Sequence, residues 1–211
     1  MDKTVDSVNV GTPRQVRVGR ETVLTSIWKS PVSGRLAVRP HNIDGDQQSD
    51  LKVHGGPYKA VYCYPHEHYE YWSGELPGAE LVPGNFGENL TTTGLSEHEI
   101  QIGDQLRVGT AVLQVTQPRM PCFKLGIRFG RPDMVKRFWN ASRPGIYLSI
   151  VQEGDVAAGD PIELLARAPN GITVSEVVAL YKGEGKTPDR IARALAAPLF
   201  GSWKEGIRER L

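Results

Sequence analysis

The sequence predicts a mainly β domain with peripheral helices at residues 1–166, followed by a small module of three helices at residues 167–211. Glycine and proline account for 23 and 15 of the 211 residues, and short apolar stretches alternate with turn residues along the first part of the chain. This pattern favours many short strands over a helical bundle. The apolar spacing then changes to a helical period, which predicts the C-terminal module.

Composition excludes several classes of protein. The net charge is +1, so we expect no broad basic face and no nucleic-acid partner. Two cysteines, Cys63 and Cys122, do not form a disulfide framework of the secreted type. The N-terminal residues lack a signal-peptide core, and no apolar stretch approaches the roughly 20 residues that cross a bilayer. We therefore expect a cytoplasmic protein without a membrane partner.

The first half of the chain contains several strand patterns bounded by turn residues. Lys29 follows one of them, directly before Ser30 and Pro31. This lysine is either functional or a solvated charge that protects a sheet edge. Residues 60–64 are apolar and aromatic, which predicts a buried strand and makes Cys63 a core residue. The strands expected before residue 65 are 5–10, 14–18, 22–28, 35–38 and 60–64.

Two loops carry candidate binding groups. His54 is followed by two glycines and bracketed by Lys52 and Lys59, and glycine amides beside lysines suit an anion. Further along, Asn85 and Asn89 lie in a glycine-rich loop, and their amides offer donors and acceptors to a heterocycle or a phosphate. Either loop can equally be an ordinary turn that binds no ligand.

The segment from Gln117 to Leu125 is the strongest functional candidate. It follows a strand pattern at 111–115, and Pro118 and Pro121 stop the strand and stiffen the loop. Arg119 and Lys124 flank Cys122, and nearby positive charge favours the thiolate, which is the nucleophile and the metal ligand. The alternative is an inert cysteine that behaves as a small apolar residue.

A helix is expected at 65–74, where Pro65 occupies the first turn. Residues 126–139 are also expected to be helical, interrupted at Gly130 and Pro132, with Pro132 at a helix start. In the C-terminal module, Thr173 and Thr187 are predicted N-caps, and Ser202 with Glu205 has the spacing of a capping box. Each of these three helices is shorter than the ~12 to 15 residues that an isolated helix needs, so they must pack on other elements.

The ordered set of motifs resembles the MOSC family, the molybdenum cofactor sulfurase C-terminal domain, in its stand-alone YiiM-like branch. The resemblance covers about residues 5–165. The motifs that carry it are Trp28-Lys29-Ser30-Pro31-Val32, Asp44-Gly45-Asp46-Gln47, Leu51-Lys52-Val53-His54-Gly55-Gly56, Gly84-Asn85-Phe86-Gly87-Glu88-Asn89-Leu90, Gln117-Pro118-Arg119-Met120-Pro121-Cys122, Gly145-Ile146-Tyr147 and Gly159-Asp160.

This resemblance implies a β-barrel and a molybdopterin-type molybdenum cofactor. Cys122 would supply a thiolate to molybdenum, and Arg119 would hold cofactor charge close to it. The other residues implied in cofactor binding or in the pocket are Lys29, Lys52, His54, Lys59, Asn85, Asn89 and Arg143. The sequence contains no pyridoxal-phosphate lysine motif, so that cofactor is not expected.

The resemblance further implies an oxidoreductase that reduces N-hydroxylated compounds such as hydroxylaminopurine bases. Its electrons would come from a separate reductase, since the sequence has no cysteine cluster for an iron–sulfur centre. The alternatives are a non-catalytic carrier of molybdenum cofactor and a sulfur carrier with Cys122 as a persulfide. A homodimer is a further expectation.

Overall fold

The computed structural model describes residues 2–49, 55–169 and 171–211. Strands and helices alternate along the chain, with most strands before residue 167. The strands are β1 (Thr4–Val10), β2 (Arg14–Val18), β3 (Glu21–Thr25), β4 (Ser30–Val32), β5 (Leu36–Arg39), β6 (Asn42–Ile43), β7 (Val61–Pro65), β8 (Leu90–Thr93), β9 (Gln105–Val108), β10 (Ala111–Pro118), β11 (Ile146–Gln152), β12 (Gly154–Val156) and β13 (Ile162–Ala166). The α-helices are α1 (Glu67–Glu75), α2 (Phe123–Phe129), α3 (Met134–Ala141), α4 (Val174–Lys182), α5 (Pro188–Ala196) and α6 (Gly201–Arg208).

One large sheet forms the body of the protein. Its eight strands lie in the order β13-β9-β10-β11-β7-β8-β1-β4. Neighbouring strands are antiparallel except β7 and β8, which are parallel. Strand β10 lies inside this sheet, and its buried Ala111, Leu113 and Val115 alternate with partly exposed residues, as a half-buried strand requires. Two smaller sheets, β12-β5-β6 and β2-β3, complete the described strands.

The expected closed β-barrel is wrong, because the described strands form open sheets. Strand β1 approaches the segment before β13 through a bridge between Thr4 and Pro161, and the Val5 amide donates to the Asp160 carbonyl at 2.9 Å. Beside this bridge, the Gly159 amide donates to the Val5 carbonyl and the Ile162 amide donates to the Lys3 carbonyl, both at 2.7 Å. The large sheet nevertheless ends at β13 and β4. Thirteen strands and six α-helices make the described chain mixed α/β, where a mainly β domain with peripheral helices was expected.

The three C-terminal helices share a hydrophobic core with the large sheet. Buried Val174 and Val177 of α4, Ala194 of α5 and Ile207 of α6 belong to the same cluster as the sheet residue Leu113. A second hydrophobic cluster is mainly aromatic. Its buried members include Tyr64, Tyr69, Trp72, Phe86 and Phe138. Burying each large apolar side chain stabilises the fold by ~1.5–3 kcal/mol.

Two of the predicted helix caps are confirmed. The Thr173 hydroxyl accepts from the Glu176 amide at 3.1 Å, and the Glu176 carboxylate accepts from the Thr173 amide at 3.0 Å. The Thr187 hydroxyl accepts from the Arg190 amide at 3.2 Å. Both side chains satisfy amides that the first turn of a helix leaves without partners.

Three helix predictions need correction. Ser202 lies inside α6, which begins after Phe200 without a side-chain cap, so the capping box there is wrong. Pro65 ends β7, and α1 begins at Glu67. The helical region expected from residue 126 begins earlier, at Phe123. Its expected interruption at Gly130 is confirmed, because Gly130 adopts a left-handed conformation (φ 62°) that ends α2.

Candidate functional site

A cleft with a strong excess of positive charge lies where several strand ends meet. Its empty volume is about 560 Å³, counting the part open to solvent. We name it the cationic cleft, after four lining residues, Lys29, Lys59, Arg119 and Lys124, which surround Cys122. Asp46 is the one carboxylate among its described lining residues. The lining thus carries an excess of cations suited to an anionic ligand.

Different elements bring these side chains together. Lys29 lies between β3 and β4, and Asn89 directly precedes β8. Arg119 and Cys122 follow β10, where Pro118 ends the strand, and Cys122 directly precedes α2 in an extended conformation. Lys59 ends a short 3-10 helix. The cleft therefore depends on the tertiary fold and not on one contiguous motif.

Asp46 organises one wall of the cleft. One of its carboxylate oxygens accepts from the Lys29 ammonium and from the Gly11 amide, the latter at 3.0 Å. The other oxygen accepts from the Asn89 side-chain amide at 2.9 Å. Burial lowers the pKa of Lys29, and the charge of Asp46 opposes that shift. Lys29 is thus a positioned cation whose charge Asp46 partly compensates.

Arg119 forms a buried, fixed positive charge in the cleft. Its guanidinium donates to the Phe86 carbonyl and lies 4.8 Å from the Tyr62 ring centroid and 5.6 Å from that of Phe138. Contact with aromatic faces holds a guanidinium while leaving its charge available. Arg119 and Cys122 line the same cleft.

Lys59 and Lys124 line the part of the cleft that contains Cys122. The Lys59 carbonyl accepts from the Gln48 side-chain amide at 3.1 Å, and the Tyr58 carbonyl accepts from the Thr116 hydroxyl at 2.7 Å, so this segment is held in place. Burial lowers the pKa of Lys59, and the nearby Cys122 opposes the shift. Lys124 is buried and donates to the Ser49 hydroxyl at 3.5 Å.

The remaining sequence-predicted residues lie elsewhere or outside the described part of the chain. Asn85 is buried in a turn, where its side-chain oxygen accepts from the Val82 amide at 2.9 Å. Arg143 lies away from the cationic cleft, with its guanidinium donating to His68 Nδ1 at 3.1 Å. Lys52 and His54 fall within residues 50–54, which the structure does not describe.

Sequence reasoning missed Asp46, Ser26 and Tyr147 as cleft residues. Asp46 lies in a motif of the family resemblance but was given no role in the pocket, and no local spacing links it to Lys29. The Ser26 hydroxyl oxygen is buried and has no hydrogen-bond partner among the described residues. Sequence alone contains no signal for such an unsatisfied group.

Cys63 is a core residue, as predicted. It is 1% exposed, and burial raises the pKa of its thiol. Cys122 is partly exposed. Within the described residues, no group of three His, Cys, Asp or Glu side chains is placed to hold a metal ion. None of the described helices has the length and apolar character to span a bilayer.

Comparison with known proteins identifies relatives of this chain. The model of the MOSC domain matches residues 50–163. Protein YiiM of Escherichia coli is 40% identical over 189 residues, which cover 88% of this chain and 84% of that protein. A protein of Gibberella moniliformis named "Reductase" is 30% identical over 218 residues, covering 99% of this chain but 39% of its own length.

A solved structure extends the likeness to three dimensions. The crystal structure of YiiM from Geobacillus stearothermophilus superimposes with a TM-score of 0.81 and 32% identity, over 99% of each chain. The family match includes Lys59, Asn89, Arg119, Cys122 and Lys124 of the cationic cleft. This chain therefore belongs to the MOSC domain family.

Proposed function

We propose that the cationic cleft binds a molybdenum cofactor and that the protein reduces N-hydroxylated compounds with electrons from a separate reductase. The observation that carries this proposal is a partly exposed thiol, Cys122, among cations that exceed the carboxylates of the described cleft lining. A molybdopterin-type cofactor combines a metal centre that can take a thiolate ligand with an anionic phosphate, and this donor set offers a partner to each.

The residues of the cleft fit such a group chemically. Thiolate is a soft ligand suited to a high-valent thio- or oxo-metal centre. Lys59, Lys124 and Arg119 supply positive charge to the cleft, and Ser26 offers a buried hydroxyl without a partner among the described residues. A buried polar group of this kind is expected to have a ligand.

Each residue then has a distinct role. The Cys122 thiolate would hold the metal, while Lys59, Lys124 and Arg119 would neutralise cofactor charge. The Lys29–Asp46 pair would fix Asn89, whose side-chain oxygen already accepts from the Tyr62 amide at 3.1 Å. When bound, the cofactor would supply a metal that accepts the oxygen of an N-hydroxyl group and exchanges two electrons.

Proton supply is a further requirement of this reaction. Reduction of an N–OH group to N–H consumes two electrons and two protons and releases water. Lys59 is the candidate proton donor in the cleft, because burial lowers the pKa of its ammonium group and so makes it a stronger acid. The relative from Gibberella moniliformis that is named "Reductase" supports a reductive function.

Turnover with a chemical electron donor tests the proposal without the unidentified reductase. Protein from a host that makes molybdenum cofactor would be mixed with an N-hydroxylated purine base and reduced methyl viologen. The wild type and Cys63→Ser are expected to form the amine, and Cys122→Ser to lose activity by about 100-fold or more. Full activity of Cys122→Ser with metal still bound would contradict the assignment of the ligand.

A further inference from the structure

A second group of cations lies outside the cationic cleft, in a groove beside Trp28. The empty volume of this groove is about 880 Å³, counting the part open to solvent. We name it the arginine groove, because Arg14 of β2 and Arg128 of α2 both line it. Lys29 lines the groove as well as the cleft, but its ammonium pairs with Asp46. The two arginines therefore determine the charge of the groove.

Both guanidinium groups meet at the Trp28 ring. The Cζ atom of Arg14 lies 3.7 Å from the ring centroid, and the Cζ atom of Arg128 lies 5.8 Å from the same centroid. The indole face attracts each cation, but the two like charges repel each other. Burial lowers the pKa of Arg128, and the charge of Arg14 lowers it further. A bound anion would offset this repulsion.

The described part of the protein supplies no such anion in the groove. No carboxylate occurs among the described lining residues. The charge of Glu88 reaches Arg128, but the Glu88 carboxylate already accepts from the Gly84 and Phe86 amides and from the Thr91 hydroxyl. Arg128 Nε is enclosed and has no hydrogen-bond partner among the described residues. A ligand would therefore contact the terminal guanidinium nitrogens.

The donors of the groove favour a phosphate group over a carboxylate. One guanidinium matches the two coplanar oxygens of a carboxylate, so a single arginine suffices for that ligand. Two guanidinium groups on different elements suit the tetrahedral oxygens of a phosphate. Thr12 and Ser30 are exposed lining residues and add hydroxyl donors, which contact phosphate oxygens readily.

We propose that the arginine groove binds a phosphate group, as the free anion or as the monoester of a small molecule, and that Arg14 and Arg128 hold this group together. The described lining of the cationic cleft includes neither of these arginines and does not include Trp28. The site is therefore separate from the one assigned to the molybdenum cofactor and goes beyond the proposed function.

A bound phosphate would also join two elements beside the cleft. Strands β2 and β3 pair with each other and form a two-stranded sheet of their own, and a hairpin of this size is marginally stable alone. Arg14 pairs with Thr25 at the base of this hairpin, whereas Arg128 lies in α2, which begins directly after Cys122. The ligand would thus stabilise the hairpin against α2.

Nuclear magnetic resonance of the indole N–H groups provides a test at the site itself. The chain has four tryptophans, and Trp28→Phe assigns the Trp28 signal. The full-length protein, purified from a host that makes molybdenum cofactor, would be titrated with inorganic phosphate, ribose 5-phosphate and acetate near neutral pH in low salt. Arg14→Gln and Arg128→Gln each remove one guanidinium from the groove.

Two control variants remove a positive charge elsewhere. Arg17→Gln changes a residue of the same strand, since Arg17 lies in β2, donates to the Gly19 carbonyl at 3.4 Å and does not line the groove. Lys124→Gln removes a cation from the cationic cleft instead. The first control measures the effect of net charge, and the second detects an anion bound in the cleft.

We expect phosphate to produce a saturable shift of the Trp28 signal and none in the other three tryptophans. Arg14→Gln and Arg128→Gln should each weaken binding by about tenfold or more, and both controls by less than about twofold. Tighter binding of ribose 5-phosphate than of inorganic phosphate would assign the site to a monoester, and the reverse to the free anion. Absence of a saturable shift, acetate binding as tight as phosphate binding, or a loss in Lys124→Gln alone would overturn the proposal.

Thermal unfolding gives a second measurement that does not depend on the indole signals. An anion that binds the native state raises its melting temperature. Phosphate should therefore raise the melting temperature of the wild type and of Arg17→Gln more than that of Arg128→Gln, and equal increases in all three would contradict the site. Neither readout depends on molybdenum, so this proposal and the proposed function fail separately.

Discussion

Lys29 and Asp46 form an ion pair inside the protein, with 8% of the Lys29 side chain and none of the Asp46 side chain exposed. Lys29 and Asp46 are 17 residues apart in sequence, and their contact joins the segment between β3 and β4 to the loop after β6. Removal of one partner from a buried pair leaves an uncompensated charge, which costs about 3–5 kcal/mol. The wall of the cationic cleft therefore depends on this contact.

Lys29→Met should lower the free energy of unfolding by about 3 kcal/mol, because Asp46 would keep a buried charge without its cation. Lys3→Met is the matched control, since Lys3 pairs with Glu99 at 3.5 Å where 27% and 63% of the side chains are exposed. An exposed pair contributes about 1 kcal/mol or less. Urea unfolding of both variants measures the difference, and equal losses would refute a special role for the Lys29 pair.

Gly84→Ala should destabilise the protein more than Gly34→Ala. Both glycines have a positive φ, 90° and 87°, so both substitutions introduce similar backbone strain. A Cβ at Gly84 would lie 2.6 Å from the Lys29 carbonyl oxygen, whereas a Cβ at Gly34 meets nothing within 4 Å. This steric crowding should lower the free energy of unfolding of Gly84→Ala by about 1–3 kcal/mol more than that of Gly34→Ala. Urea unfolding of both variants would measure this difference in stability. Similar losses of unfolding free energy in the two variants would argue against crowding at Gly84.

Iodoacetamide should label Cys122 and spare Cys63 in the native protein near neutral pH. Cys122 is partly exposed, while Cys63 is buried and burial raises the pKa of its thiol. The thiolate is the reactive form, so we expect labelling rates that differ by about tenfold or more. Mass spectrometry of the labelled peptides measures them. Native Cys122→Ser should take up no label until urea exposes Cys63; label on Cys63 beforehand would contradict the assignment.

Glu97 should make stability depend on pH in the acidic range. Burial alone would raise the pKa of Glu97, but hydrogen bonding and charge from His68 and the Gly145 amide lower it below its ordinary value of 4.5. His68 Nε2 lies 2.8 and 3.0 Å from the two carboxylate oxygens. Below pH 4.5 the unfolded chain takes up a proton that the native chain does not, so stability falls as pH falls.

The advantage of the wild type over Glu97→Gln in unfolding free energy should therefore shrink between about pH 6 and about pH 3. The exposed Glu99 provides a control, since 63% of its side chain is accessible and Glu99→Gln should follow the wild type. Urea titrations at several pH values measure this difference. A constant difference across the range would show that Glu97 contributes no pH-dependent stability.

The sequence predicted most strands and the position of the Cys122 segment, because alternation and proline act locally. The Thr173 cap was also predictable, because it depends only on residues within the first turn of the helix. The open sheet was not predictable, since the order of its strands, β13-β9-β10-β11-β7-β8-β1-β4, depends on contacts between distant parts of the chain. Nor could alternation place Gln117, because the register of β10 against β11 shifts between Val115 and Gln117 and changes which residues are buried.

Part of the cationic cleft was predicted from local sequence motifs. Lys29, Lys59, Asn89, Arg119 and Cys122 each follow a recognisable motif, and the structure brings them together. The residues that pair with these side chains cannot be predicted from the neighbouring sequence. Asp46 pairs with Lys29 only through the tertiary fold.

Molybdenum content tests the central claim most directly. Protein purified from a host that makes molybdenum cofactor would be measured by elemental analysis as wild type, Cys122→Ser and Cys63→Ser. We predict near-stoichiometric molybdenum in the wild type and in Cys63→Ser, and its loss in Cys122→Ser. Wild-type protein without molybdenum, or equal molybdenum in Cys122→Ser, would contradict the account of the cationic cleft as a cofactor site with Cys122 as its metal ligand.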